Sequence, residues 1–182
     1  MQPDELEKRI RQARRAPLFS RDELPAQVSF TRSDIERILP HRGSMLLLDG
    51  ITAVDPIKGR LLGYRVIRKD DPVFEGHFPG EPVYPGVLQV EMSGQLGLCV
   101  HHFLETKSAT VPADTKPAPV RLVRVRDASF VAEARPEDRL EILAEVIEDN
   151  GYTFTALGQV TRGGAVLSAS VFEAIFGGDE GA

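Results

Sequence analysis

Four residues between positions 76 and 95 have the types and spacing for proton-transfer chemistry: His77, Gly86, Glu91 and Gln95. An imidazole is a serviceable general base near neutral pH because its unperturbed pKa is about 6.5. His77 stands in Gly76-His77-Phe78-Pro79-Gly80-Glu81-Pro82, and a stretch this rich in Pro and Gly holds a ring in one orientation. Glu91 follows fourteen positions later, among Val87, Leu88, Val90, Met92 and Leu98. A carboxylate on a buried helix loses solvation, so its pKa is expected to rise and the acid form to persist at neutral pH. Gln95 lies one turn on, where it can bond that carboxylate and fix its rotamer. Gly86 falls at the helix start, where an uncommitted N–H is an anion site that can receive a carbonyl oxygen as it gains charge. Each residue also has a plainer explanation. His77 can be a loop histidine bonded to a backbone carbonyl, Glu91 the partner of an arginine, and Gly86 a turn glycine.

The elements that must position these groups follow from the pattern around them. Val87–Leu104 is interrupted only by Gly94 and Gly97, and its apolar residues surround the axis, which predicts a buried helix. Before it, Thr31 and Ser33 precede Asp34 and Glu36 at capping-box spacing, so a short helix runs to Leu39 and stops at Pro40. Met45–Val54 and Arg60–Ile67 read as strands joined by Asp55-Pro56-Ile57-Lys58-Gly59. Thr106–Pro119, with three prolines, reads as an exposed loop. Val120–Phe130, the alternating run from Leu140 to Val146, the run from Tyr152 to Ala156, and Ala165–Phe176 then read as a meander of four strands. Its hairpin turns are at Asp149-Asn150-Gly151 and Arg162-Gly163-Gly164. The expected fold class is α+β: an antiparallel sheet curled around one buried helix. A parallel α/β sheet would need more helices than the last third supplies.

Residues 1–29 are read as a charged N-terminal arm, with Leu6 and Ile10 on one face of a weak amphipathic helix and Pro17 and Pro25 bracketing a linker. Residues 30–176 form the main domain and 177–182 a flexible tail. A chain of 182 residues suits one domain, and 42% apolar residues suffice for its core. The net charge of −5 disfavours a nucleic-acid partner. The single Cys99 excludes an internal disulfide, and no Cys/His spacing matches a zinc site, so no metal is expected. The first thirty residues lack the apolar core of a secretory signal, and no apolar run is long enough to cross a membrane. The expectation is a soluble cytoplasmic protein.

Three segments resemble the β-hydroxyacyl-acyl-carrier-protein dehydratases of type II fatty-acid synthesis, which have the hot-dog fold. They are Leu39-Pro40-His41-Arg42 with Met45-Leu46-Leu47-Leu48-Asp49; Gly76–Gly80 with Pro82-Val83, Pro85-Gly86-Val87-Leu88, Val90-Glu91 and Gln95; and, more weakly, Ala128-Ser129-Phe130 with Pro136-Glu137-Asp138. The resemblance implies a homodimer or higher homo-oligomer in which His77 of one subunit faces Glu91 of the other. It implies removal of water from a (3R)-3-hydroxyacyl thioester, carried on acyl carrier protein by phosphopantetheine, to leave a trans-2-enoyl thioester. His77 then takes the C2 proton, Glu91 protonates the departing hydroxyl, and the Gly86 N–H stabilises the thioester oxyanion. The Val83 carbonyl orients the imidazole and Gln95 orients Glu91. No cofactor is implied. The alternatives are a hot-dog acyl thioesterase and a non-catalytic subunit that binds the acyl carrier. This sequence departs from the family at Gly43 and Ser44, at Gly50, and along Val120–Arg126, where the family usually has tunnel-gating aromatics. Those departures suggest a specialised paralogue of polyketide, aryl-polyene or lipid pathways. His41 is read as structural, and His101 and His102 as solvated or capping. Arg121, Arg124 and Arg126 are either a contact for an acidic carrier or a solvated strand face.

Overall fold

A computed structural model describes residues 3–176. In chain order the elements are α1 (Pro3–Ala13), β1 (Ala26–Thr31), α2 (Arg32–Ile38), β2 (Gly50–Asp55), β3 (Arg60–Val66), α3 (Gly86–Thr106), β4 (Val120–Phe130), β5 (Arg139–Asp149), β6 (Thr153–Arg162) and β7 (Ala165–Phe176). The strands form one antiparallel sheet in the order β1-β2-β3-β5-β6-β7-β4. It wraps around α3, the hot-dog arrangement the sequence led us to expect. Met92, Leu96, Val100 and Phe103 of α3 are fully buried with Ile51, Leu61, Ile142, Val160 and Leu167 of the sheet. At Gly97 the helix comes so close to the sheet that a Cβ would sit 2.3 Å from the Phe172 ring, so the glycine is required by packing.

Local chemistry sets the element ends. Asp34 accepts from the Thr31 backbone N–H at 2.6 Å and from its hydroxyl at 2.7 Å, which selects the first of the two candidate caps and starts α2. Asp55 accepts from the Ile57 and Lys58 N–H groups and closes the β2–β3 turn. Gly163 and Gly164, both at positive φ, join β6 to β7.

Two expectations about the strands are corrected. The meander has three strands, β5-β6-β7; β4 pairs with β7 and not with β5. Between β4 and β5 the chain crosses the sheet end, where Ala134 bridges to Tyr84. The strand predicted from Met45 begins at Gly50; before it, the Met45 carbonyl and the Leu47 N–H bond to the Gln95 side chain of α3 and not to a neighbouring strand. The 106–119 loop lacks regular structure, yet Ala109 and Val111 pack against the main core.

The N-terminal segment is docked on the sheet's outer face. Leu6, Ile10 and Ala13 meet Leu157, Ala169 and Val171, while Phe19 and Leu24 cover Ala53, Leu62 and Leu143. Arg9 pairs with Glu145 and Arg14 with Asp127. Fully buried Gln159 accepts from Leu18 N–H and donates to the carbonyls of Ala13 and Ala16, closing the end of α1. β1 starts at Ala26, so the boundary placed at residue 29 falls within a strand. The tail at 177–182 lies outside the described residues. Among the described residues no helix is long and apolar enough to cross a membrane.

Candidate active site

The loop before α3 is a tight reversal held by its own backbone. Asp71 accepts from Val73 N–H and starts a short turn, and the His77 N–H donates to the Val73 carbonyl. Phe78 and Glu81 exchange N–H and C=O bonds across Pro79-Gly80, where Gly80 has φ +83°. Val83 N–H then donates to the His77 carbonyl at 3.1 Å. This pairing brings the Val83 carbonyl 2.8 Å from His77 Nδ1. A carbonyl can only accept, so Nδ1 carries the hydrogen, and in the neutral tautomer this leaves the lone pair on Nε2. The loop thus presents a half-buried imidazole whose Nδ1 is engaged by the loop itself and whose Nε2 is not. Its far end is anchored by fully buried Tyr84, whose N–H donates to the Ala134 carbonyl at 2.7 Å.

Gly86 is the first residue of α3, after Pro85. Its N–H belongs to the first turn, which has no partners within the helix. A Cβ at this position would lie 2.7 Å from the ring of Phe130, at the end of β4. The neighbouring ring is thus one reason for glycine at this position.

Glu91 sits in the second turn of α3, half-buried. Gln95, one turn on and 1% exposed, donates to Glu91 Oε1 at 2.8 Å and to the Met45 carbonyl at 2.7 Å, while its own oxygen accepts from Leu47 N–H at 2.8 Å. One amide therefore ties the carboxylate to the buried Met45–Leu48 run. His41, read from the sequence as structural, lies beside this carboxylate. Its Nε2 lies 3.4 Å from the same Oε1. It stood in the matched Leu-Pro-His-Arg stretch, just past a helix stop, and that was the available signal. The expected rise in the Glu91 pKa is corrected. The imidazole of His41 beside it, together with the Gln95 amide, holds the carboxyl below the usual glutamate value despite partial burial.

Glu91, Gln95 and His41 share a cleft of about 90 Å³ with Gly94, Leu122 and Val125. His77 is not among the residues that line it. Within one chain the candidates therefore fall into two separate groupings, His77 with Val83 and Glu91 with Gln95, with Gly86 between them in sequence. The remaining candidates have structural partners. His101 stacks on Phe176 near Asp149, His102 meets the Thr110 carbonyl, and Arg124 and Arg126 both pair with Glu173. Among the described residues no group of His, Cys, Asp and Glu is arranged to hold a metal.

Residues 39–170 match the family model described as a FabA-like domain. A Campylobacter curvus protein named 3-hydroxyacyl-[acyl-carrier-protein] dehydratase FabZ is 33% identical over 142 residues, covering 78% of this chain and 94% of that one. The Anaeromyxobacter protein of the same name is 36% identical over 141 residues, 78% of this chain and 86% of its own. Among solved structures, the dehydratase heterocomplex ApeI:P from Xenorhabdus doucetiae superposes with a TM-score of 0.63 at 20% identity, over 80% of this chain and 91% of that one. A mutant hypothetical thioesterase protein from Streptococcus pneumoniae reaches a TM-score of 0.54 at 11% identity, over 76% of this chain and all of its own, a likeness of fold alone. From the matched span and from relatives that align along nearly their whole length, this chain belongs to the FabA-like family.

Proposed function

We propose that this chain removes water from a (3R)-3-hydroxyacyl thioester bound to acyl carrier protein, giving the trans-2-enoyl thioester. The observation that carries the reading is the His77 Nδ1 to Val83 carbonyl bond, which leaves Nε2 basic, in a chain whose relatives are named for this dehydration. His77 Nε2 takes the C2 proton, and the electron pair forms the C2–C3 double bond as the C3–O bond breaks. Glu91 gives its proton to the leaving hydroxyl, which departs as water. The Gly86 N–H meets the thioester oxygen as it gains charge; loss of one such donor typically costs about 3–4 kcal/mol in barrier. Imidazolium and carboxylate then return a proton and take one up, so nothing else is consumed. In the free chain His41 and Gln95 favour the carboxylate of Glu91. An acyl chain over the cleft excludes water, and that desolvation acts in favour of the acid form.

The complete site is shared by two copies of the chain in a homodimer. Supporting this, His77 does not line the cleft of Glu91, and Leu122 and Val125 of that cleft belong to β4, an edge strand. Leu122, Val123, Val125 and Phe130 of this strand are exposed. Edge pairing of β4 with a second β4 covers them and carries partner groups toward Glu91. The carrier presents its substrate at that seam. The thioesterase alternative has only shared fold behind it.

The test is incubation with 3-hydroxyacyl carrier thioesters of several lengths, read by intact-mass spectrometry of the carrier. Loss of one water from the acyl group is expected. Folded protein that turns over no chain length, or releases free carrier thiol instead, would refute the reading.

A further inference from the structure

The segment that ends α2 has a task beyond folding. Leu39 is 1% exposed and anchors the segment in the core; Pro40 stops the helix; Arg42 folds back to donate to the carbonyls of Glu36, Leu39 and His41. That clamp satisfies carbonyls at the helix end, fixes the chain between them, and aims His41 at Glu91. From the other side, Gln95 grips the Met45 carbonyl and Leu47 N–H. Both flanks of the 39–47 segment are thereby attached, and two side chains from different elements converge on one oxygen, Glu91 Oε1, at 3.4 Å and 2.8 Å. A long contact of this kind in a free enzyme typically tightens when the substrate binds.

We infer that His41 is a positioning residue for the proton donor: a neutral imidazole whose Nε2–H, with the Gln95 amide, occupies Oε1 and leaves Oε2 as the oxygen that carries and delivers the proton. This rests on the dehydratase reading for its consequence in turnover, but the placement of His41 is argued from geometry. The tautomer follows from the other ring nitrogen. His41 Nδ1 is buried and has no hydrogen-bond partner. An imidazolium would bury an unmatched, charged N–H there, whereas the neutral Nε2–H form leaves only a lone pair unmet. Among the residues lining the cleft, His41 and Glu91 are the ionisable ones. The two histidines therefore hold opposite tautomers suited to opposite tasks: His77 bonded at Nδ1 with Nε2 bare, His41 with Nε2–H directed to the acid.

Substitution by the two side-chain amides tests this. A glutamine at 41 places its N–H₂ about where Nε2 stands, without the capacity to take a proton; an asparagine reaches only about as far as Nδ1. His41→Gln is expected to keep turnover within a few-fold of the native chain. His41→Asn and His41→Phe are expected to lower kcat by roughly 10- to 100-fold, the order lost with one hydrogen bond to a charged group, with KM little changed. In parallel, ¹³C NMR titration of the Glu91 carboxyl should show its midpoint rise in the Asn and Phe variants and stay near native in the Gln variant. That readout needs folded protein but no activity. Equal slowing by all three substitutions would show that His41 works by titrating and would overturn the neutral-donor assignment. Native rates and an unmoved Glu91 midpoint in the Asn and Phe variants would show a merely structural side chain. A native chain without turnover that still shows the split in midpoints would refute the dehydratase reading and leave the placement of His41 standing.

Discussion

Replacing Gln95 with leucine should destabilise the fold and release the acid at once. The side chain makes three bonds: it accepts from Leu47 N–H, and it donates to the Met45 carbonyl and to Glu91 Oε1. Leucine fills much the same volume and makes none. The Leu47 N–H bond is wholly buried, so that donor loses about 1–3 kcal/mol when left unmet. The Met45 carbonyl is only partly buried and recovers part of its loss from water. The sum is about 2–4 kcal/mol. At roughly 2–4 °C per kcal/mol for a chain of this size, Tm should fall by about 5–15 °C. Calorimetry, with urea denaturation to obtain the free energy, measures this directly. The same variant should titrate Glu91 at a higher pH, because one of the donors that favour the carboxylate is gone. An unfolding free energy within about 0.5 kcal/mol of the native value, the range of ordinary surface changes, would refute the claim that this amide holds the 45–48 run to α3.

Phe19 is 4% exposed beneath the N-terminal segment, so Phe19→Ala should cost about 3–4 kcal/mol; a loss under about 1 kcal/mol by denaturation would mean that the segment is not docked in solution. Gly86→Ala puts a methyl 2.7 Å from the exposed Phe130 ring, and a double-mutant cycle with Phe130→Ala should show coupling of about 1 kcal/mol; zero coupling would remove the steric account. The lowered pKa of Glu91, due first to His41, makes a stabilising contribution that is complete above the unfolded value of about 4.3. That contribution is lost as pH falls through the lower folded value. Glu91→Gln should therefore flatten the stability profile in this acid range, and an unchanged slope would contradict the shift.

The legible parts of the chain were those fixed by neighbours in sequence. The helix predicted over Val87–Leu104 is α3, because Pro85 marks its start and its apolar residues have nowhere to go but inside. The turns at Asp149-Asn150-Gly151 and Gly163-Gly164, and both ends of β4, carry their own chemistry. What was missed depends on contacts distant in sequence. β1 alternates outward and inward positions, yet in Ala26-Gln27-Val28-Ser29-Phe30-Thr31 the pattern is short and the flanking prolines read as a linker. Nothing local says that β4 lies beside β7. The fate of Glu91 turned on His41, fifty positions upstream, so burial on α3 predicted the wrong direction for its pKa. The Gln95–Glu91 bond, by contrast, joins residues four positions apart and was anticipated from that spacing, whereas the His77–Val83 bond was implied by the family resemblance alone.

The central claim is that base and acid come from two subunits and act on one substrate. Two differently tagged chains, one His77→Gln and one Glu91→Gln, should each be inactive when pure. Purified through both tags, the mixed dimer should recover about half the native rate of enoyl thioester formation, since a two-fold pair then holds one intact site and one doubly altered site. A mixed dimer as inactive as its parents, or either parent active alone, would contradict the account.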